Sequence, residues 1–169
     1  MAELGIAAAA VQFTDVGVRL LEVLVRVCTD IRHVPSKLRA TVTELKGFIQ
    51  LARAIDQNIR APNIGPASTL NGALSPAHIS FGLHLLSESI VQAQQLEGVL
   101  KPLLPKPNDN AIKRGWRAVS GLKMEKEILE KCMQIQNLKV NLILWFNNGS
   151  LFLFNDQMYA KRPKNSHTS

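Results

Sequence analysis

The chain of 169 residues lacks most of the features by which enzymes and metal proteins are recognised. Its two cysteines, Cys28 and Cys132, are too far apart for the clustered spacing of a zinc site or a disulfide framework. The four histidines are scattered, and the acidic residues are too dispersed to predict a paired-carboxylate site. A glycine-rich phosphate loop is also missing, because Leu122 stands where its lysine would be. We therefore expect no catalytic residue, no metal ligand and no bound cofactor, and a protein that is not an enzyme.

The chain also has few marks of a secreted or membrane-spanning protein. Its most apolar run begins at Leu4 and stops at Asp15, well short of the roughly 20 residues that a membrane span needs. No basic residue precedes this run, and Glu3 stands there instead, which argues against a secretory signal. Two unclustered cysteines among apolar residues fit a reducing compartment. The sequence therefore predicts a cytoplasmic protein, with recruitment to a membrane as the one route by which it would meet lipid.

Aromatic residues are scarce as well, at 5% of the chain, whereas hydrophobic residues make up 46%. Near the start, apolar residues at spacings of three and four form one seam: Ile6, Ala10, Phe13, Gly17, Leu20, Leu24, Val27 and Ile31. Charged residues with the same spacing form another face: Asp15, Arg19, Glu22, Arg26 and Asp30. This pattern predicts a long amphipathic first helix that packs against at least two others.

Turn and cap residues divide the rest of the chain into three further helices. Pro35 ends the first helix and suits the first turn of the second, which should end near Arg60 before a run rich in proline. Ser75 and the proline after it predict the start of a third helix, which reaches Pro102 or shortly beyond. Residues 108–110 offer caps for a fourth. The sequence thus predicts an all-α, antiparallel bundle of about four main helices, with a long first helix and a disordered basic tail.

The predicted bundle covers residues 1–149, because Asn147, Asn148 and Gly149 are residues that commonly stop a helix. Residues 150–169 are predicted as an apolar segment followed by a flexible basic tail. An alternative is that the apolar runs on either side of the Asn-Gly pair form two short strands about a turn. The apolar segment needs a cover, which is either the bundle or another chain.

Positive charge collects between the third and fourth predicted helices, in a chain whose formal net charge is +7. Lys113, Arg114, Trp116 and Arg117 lie at the centre of this basic junction, which spans residues 101–126. Cations beside a tryptophan suit an anionic membrane surface or nucleic acid. The favoured interpretation is simpler, with a solvated helix face and Trp116 in the core.

The first half of the first helix carries no charge from Leu4 to Thr14, and Gly5 with four alanines gives it a surface of small residues. Such a surface lets another backbone approach closely. Two interpretations follow. The favoured one is a buried bundle helix, and the other is a helix that leaves the bundle to enter a membrane or contact a partner.

Four segments, in this order, resemble a known family: GIAAAAVQFTDVGVRLLEVLVRV, DIRHVPSKLRATVTELKGFIQLAR, LHLLSESIVQAQQLEGVLKPLLPK and RGWRAVSGLKMEKEILEKCMQIQNLKVNL. They are similar to the N-terminal helical domain, of the SesA or HeLo-like type, of fungal NLR-like STAND NTPases. The resemblance covers roughly residues 2 to 146. It implies a helical effector or signalling domain that acts in non-self recognition and regulated cell death. By the same analogy, Leu4, Ile6, Val11 and Phe13 are the candidates for contact with a membrane or with other copies.

The sequence and the resemblance together predict a non-enzymatic effector domain that acts by self-assembly and membrane disruption. The expected partners are further copies of the chain or another helical domain of the same family, together with an anionic membrane surface. The main alternative is a helical adaptor for protein–protein interaction without membrane activity. A basic nucleic-acid-binding module is the third and least favoured interpretation. Since neither an NTPase domain nor repeats follow the helical segments, we expect a truncated receptor or a domain that works in trans.

Overall fold

The computed structural model describes residues 2–60, 75–104 and 122–160, and the side chains of residues 4–60, 75–104 and 124–148. Within these ranges the chain forms helices and no strand. The helices are α1 (Ala2–Asp30), α2 (Ser36–Arg60), α3 (Pro76–Leu100) and α4 (Leu122–Ala160), with a short 3-10 helix (Lys101–Leu103) directly after α3. The predicted all-α bundle with a long first helix is therefore confirmed. The predicted basic tail beyond residue 160 lies outside the described residues.

The predicted helix starts are confirmed in their local geometry. The carbonyl of Pro35 accepts backbone hydrogen bonds from Leu38 (3.0 Å) and Arg39 (3.3 Å), so α2 begins where the proline was expected to place it. At α3 the hydroxyl of Ser75 accepts a hydrogen bond from the backbone nitrogen of His78 at 3.2 Å. This bond satisfies an amide that would otherwise have no partner in the first turn. The predicted caps at residues 108–110 lie outside the described residues.

The seam predicted for α1 forms the centre of the core. Every member of the seam is buried, and every member of the predicted charged face is exposed. The rings of Phe13 and Phe48 meet at 4.3 Å between centroids, which joins α1 to α2. α1 packs mainly on α2 and α3, so the expectation of at least two neighbours is also confirmed. α4 packs on α3 and, less extensively, on α2.

Side-chain contacts fix the directions of the helices. Gln95 of α3 bonds to Lys131 of α4, whereas the earlier His78 contacts the later Trp145, so these two helices are antiparallel. α2 and α4 run parallel, since Glu44 bonds to Lys139 and the earlier residue Thr41 lies beside Cys132. Each helix still runs opposite to the helix before it in the chain. The bundle therefore has parallel as well as antiparallel neighbours around its axis.

The last helix is longer than the sequence predicts. Helix α4 continues through Asn147, Asn148 and Gly149 to Ala160, so the predicted helix end at these residues is wrong, and so is the alternative of two strands. The physical reason is the small cost of these residues. Glycine in a helix interior costs only about 1 kcal/mol relative to alanine, and asparagine costs less. Apolar residues with helical spacing on both sides outweigh that cost.

Candidate membrane and assembly surface

The structure divides the four candidate residues of α1 into two pairs. Leu4 and Val11 are 62% and 39% exposed, and they share an outer face with the exposed Ala8. Ile6 and Phe13 are only 1% and 0% exposed and belong to the core. In the packed bundle, therefore, the outer pair alone is available to a partner. The inner pair becomes available only if this part of α1 leaves the bundle.

The small residues of α1 are already in use inside the bundle. A Cβ atom placed on Gly5 would lie 3.6 Å from a methyl group of Leu83 in α3, and Ala7 and Ala10 are buried. Gly5 therefore lies in ordinary van der Waals contact with a side chain of α3, and the close approach of another backbone stays a prediction. Gly5, Ala7 and Ala10 can pack against another copy only after this part of α1 separates from the bundle.

The connections of α1 to its neighbours are apolar. Among the described residues, no ion pair and no side-chain hydrogen bond joins α1 to another helix; the Thr14 hydroxyl donates to the Ala10 carbonyl within α1 itself (2.9 Å). Helix α4 differs in this respect. The polar bonds that join its described residues to α3 and α2 include Lys131 Nζ to Gln95 Oε1 at 2.6 Å, Lys139 Nζ to Glu44 Oε2 at 2.6 Å, and Trp145 Nε1 to the His78 carbonyl at 2.8 Å.

The burial of Ile6 and Phe13 sets the cost of separating the start of α1. A fully buried aliphatic or aromatic side chain contributes about 1.5–3 kcal/mol. These two side chains alone therefore oppose release by roughly 3–6 kcal/mol. The second half of α1 is held more firmly, because Leu20, Leu24 and Val27 are all completely buried. The first half is the part of α1 with the smaller cost of release.

Among the described helices, one is long and apolar enough to cross a membrane, and it is α1 over Leu4–Asp30. Less than half of its most apolar window is buried in the bundle. The core helix of a soluble protein passes the same test, and Asp15 and Arg19 interrupt the apolar residues of α1. The length and composition of α1 therefore allow it to insert into a membrane. The same length and composition also fit a helix that stays in the core of a soluble bundle.

The centre of the basic junction, Lys113, Arg114, Trp116 and Arg117, lies outside the described residues. At its edges Lys101 and Lys126 are exposed. The ammonium group of Lys101 pairs with the Glu97 carboxylate of α3 at 2.7 Å, so its charge is partly balanced. The prediction of an anionic-surface patch therefore stays a prediction.

The described residues contain no group of three or more histidine, cysteine, aspartate or glutamate side chains placed to hold a metal ion. Both cysteines are free thiols, with Cys28 half-buried and Cys132 buried. Burial raises the pKa of both thiols, and nearby Arg39 for Cys28 and Thr41 for Cys132 only partly offset this. Neither thiol is therefore activated as a nucleophile at neutral pH.

Sequence analysis missed a contact between α3 and α4. The indole ring of Trp145 stacks on the His78 imidazole at 5.2 Å between centroids, and it covers Gly82. The imidazole Nε2 is buried and has no hydrogen-bond partner among the described residues. The only sequence signal was a glycine inside an otherwise regular helix, a pattern that often marks close packing.

No protein-family model, no curated protein and no solved structure matches this chain. The all-α bundle of the described residues agrees with the helical domain that the resemblance implies, but a fold alone does not carry a function. The family therefore remains a prediction from the sequence.

Proposed function

We propose that this chain is a helical effector domain of the kind found at the N-terminus of fungal NLR-like receptors. In this proposal, residues 4–13 of α1 pack in the bundle at rest. On activation they are released in the cytoplasm, assemble with other copies and disrupt an anionic membrane. The domain acts in this way in non-self recognition and regulated cell death, and it is not an enzyme.

The observation that carries the proposal is the contrast between α1 and α4. Polar bonds fix α4 to its neighbours, whereas residues 4–13 are held by apolar contacts alone within the described part of the chain. Directional polar bonds are lost when a helix moves into lipid, but apolar contacts are replaced there by contacts with acyl chains. A helix held only by apolar packing therefore exchanges its bundle environment for a membrane at the smaller cost.

The same contacts explain why the bundle is the resting state. The roughly 3–6 kcal/mol contributed by Ile6 and Phe13 favours the packed form by about 10² to 10⁴ to one. A trigger must supply this difference through its preference for the released form, and an anionic membrane that binds the released helix acts as such a trigger. Once released, residues 4–13 present apolar side chains on every face, and Gly5 and the alanines allow close packing between copies.

A helical adaptor without membrane activity is the second candidate. It is favoured by the exposure of Leu4 and Val11 on the outer face, which a protein partner contacts without any movement of α1. The two candidates differ in what they require of Ile6 and Phe13. Release is necessary for membrane disruption and unnecessary for an adaptor.

A disulfide lock tests the proposal directly. In a Cys28→Ala and Cys132→Ala background, Gly5→Cys with Leu83→Cys would join the start of α1 to α3. We expect the reduced protein to release dye from anionic vesicles, the oxidised protein to be inactive, and reductant to restore activity. Because the same molecule is compared with itself, a change in folding of the variant does not explain the difference.

The matched control is a lock in the second half of α1. A Cβ atom on Gly17 would lie 2.9 Å from Ile49 Cγ1, so Gly17→Cys with Ile49→Cys joins α1 to α2 there and leaves residues 4–13 free. This oxidised control should still cause leakage. Equal leakage from the oxidised Gly5–Leu83 pair would reject the release of α1. No leakage by any form would favour the adaptor, and tight binding of RNA or DNA at physiological salt would favour the nucleic-acid module.

A further inference from the structure

The outer face of α4 carries an apolar stripe that the bundle does not use. Met133, Val140 and Leu144 are 46%, 53% and 55% exposed. Their spacings of seven and four residues place them on one side of the helix, with the exposed Asn137 between them. This is the spacing of the seam of a two-stranded coiled coil. We refer to Met133, Val140 and Leu144 as the α4 stripe.

The opposite side of α4 faces the core. Ile128, Cys132, Ile135 and Leu142 are at most 1% exposed and pack with the residues of the other helices. On a helix of 3.6 residues per turn, these positions lie about half a turn away from the α4 stripe. The stripe is therefore not left over from a mispacked core. It is a second apolar face on a helix whose first apolar face is fully used.

The charges around the stripe indicate which partner it suits. From Met133 to Asn148 the sequence contains a single charged residue, Lys139, and its ammonium group bonds to the Glu44 carboxylate at 2.6 Å. An acidic or basic partner would find no free charge to pair with along this stretch. A second copy of the chain, in contrast, meets a surface as neutral as its own. Since each copy carries a net charge of +7, two copies approach best through such a neutral face.

We propose that the α4 stripe is the contact between two copies of this chain, related by a twofold axis. Val140 and Leu144 form the apolar centre of the contact, and Asn137 is the polar position that sets its register at some cost in stability. The stretch from Met133 to Asn148 is about 24 Å long at 1.5 Å per residue. Contacts of this size are at the small end for proteins, so the dimer is a weak one that forms and separates with concentration.

In the proposed function, copies of the chain assemble with one another, and the α4 stripe is the surface through which two copies would first meet. In this respect the inference rests on the proposed function. It uses neither residues 4–13 nor lipid. The surface and the proposed membrane activity can therefore fail independently of each other.

Sedimentation velocity over a concentration series tests the dimer in solution without any membrane. We expect the wild-type chain to show a reversible monomer–dimer equilibrium. Val140→Glu with Leu144→Glu should weaken dimerisation roughly hundredfold or more, because like charges would meet across the twofold axis. Val140→Lys with Leu144→Lys should do the same. An equimolar mixture of the two variants should recover the dimer, since opposite charges then face each other.

The matched control places glutamate at exposed valines elsewhere, Val25→Glu with Val91→Glu on α1 and α3. This control should dimerise as the wild type does. The proposal is overturned if the wild type is monomeric throughout the series, if the glutamate variant dimerises normally, or if the mixture stays monomeric while circular dichroism shows both variants folded. Vesicle leakage by a fully monomeric wild type would keep the proposed function and reject the α4 contact.

Discussion

At the scale of single residues, the contact between Gly82 and Trp145 fixes how α3 and α4 pack. A Cβ atom on Gly82 would lie 2.4 Å from Trp145 Cζ2 and 2.5 Å from Cε2, which is closer than two carbon atoms can approach. The indole cannot easily move away. It is buried, stacked on His78, and bound through Nε1 to the His78 carbonyl. Glycine is therefore required here by space, although its backbone conformation is an ordinary helical one.

We predict that Gly82→Ala destabilises the bundle while Gly98→Ala, on the same helix, stabilises it. Overpacking of a well-packed core costs typically about 1–3 kcal/mol. At Gly98 nothing lies within 4 Å of the added methyl group, so the gain in helix propensity of up to about 1 kcal/mol is kept. Urea denaturation followed by circular dichroism measures both. Unchanged stability of Gly82→Ala would contradict the packing of Trp145 against Gly82, and a loss of stability in Gly98→Ala would contradict the open space at that position.

The buried thiol of Cys132 makes stability depend on pH at the alkaline end. Burial raises its pKa above the ordinary value of 9.0, with Thr41 and Lys37 lowering it by smaller amounts. The folded state therefore keeps its proton at pH values where the unfolded chain has lost it. By linkage, this contribution to the free energy of unfolding is complete below pH 9.0 and is lost as pH rises through the folded pKa.

We predict that the free energy of unfolding falls from about pH 9 upward, and that Cys132→Ala falls less steeply over the same range. Denaturant titrations at several pH values measure this slope. In the native protein, Cys132 should also react with a thiol reagent far more slowly than Cys28, which is only half-buried. Equal slopes for the two proteins, or a fast reaction at Cys132, would show that the thiol is not in the core.

At the scale of helices, local pattern determined what could be predicted. The seam of α1 from Ile6 to Ile31 was predicted residue by residue, because burial along one helix follows its 3.6-residue period. The starts of α2 and α3 were predicted because the cap and proline residues act within a single turn. The end of α4 was not. Asn147 to Gly149 lower helix propensity only slightly, and the backbone follows the stronger pattern on either side.

The candidate site was predictable only in part, for a related reason. The charge-free run from Leu4 to Thr14 is visible in the sequence, and the seam already assigned Ile6 and Phe13 to the core. What the sequence does not contain is the pairing between helices. The bond from Lys139 to Glu44 joins residues 95 positions apart, and the bond from Trp145 Nε1 to the His78 carbonyl joins residues 67 positions apart. The contrast in polar bonding between α1 and α4 therefore needed the structure.

At the scale of the whole molecule, the bundle separates the proposed activities onto different surfaces. α1 lies between α2 and α3, so the release of residues 4–13 uncovers parts of both. α4 packs on α3 and α2, and the exposed Met133, Val140 and Leu144 on its outer face are the proposed contact with a second copy. Two copies joined through α4 therefore leave both α1 helices uncovered by the contact. Dimerisation and membrane insertion are compatible in one assembly.

The last prediction concerns the net charge of +7 and where it acts. Lys113→Glu, Arg114→Glu and Arg117→Glu together should weaken binding to anionic vesicles, since each cation near such a surface is worth about 1 kcal/mol. The loss should shrink as salt is raised, because salt screens exposed charges. Co-sedimentation with vesicles that contain an anionic lipid, at two salt concentrations, measures the effect.

The matched control reverses three exposed cations of the described bundle, Arg19, Arg26 and Arg53, and so removes the same six units of charge from another surface. If the basic junction binds lipid, the first variant should bind much more weakly than the control at the same salt. Equal weakening would mean that net charge alone attracts the membrane, and unchanged binding would mean that the junction is a solvated face. If the first variant loses binding to RNA or DNA instead, the basic junction binds nucleic acid. That result would favour the nucleic-acid-binding module over the membrane interpretation.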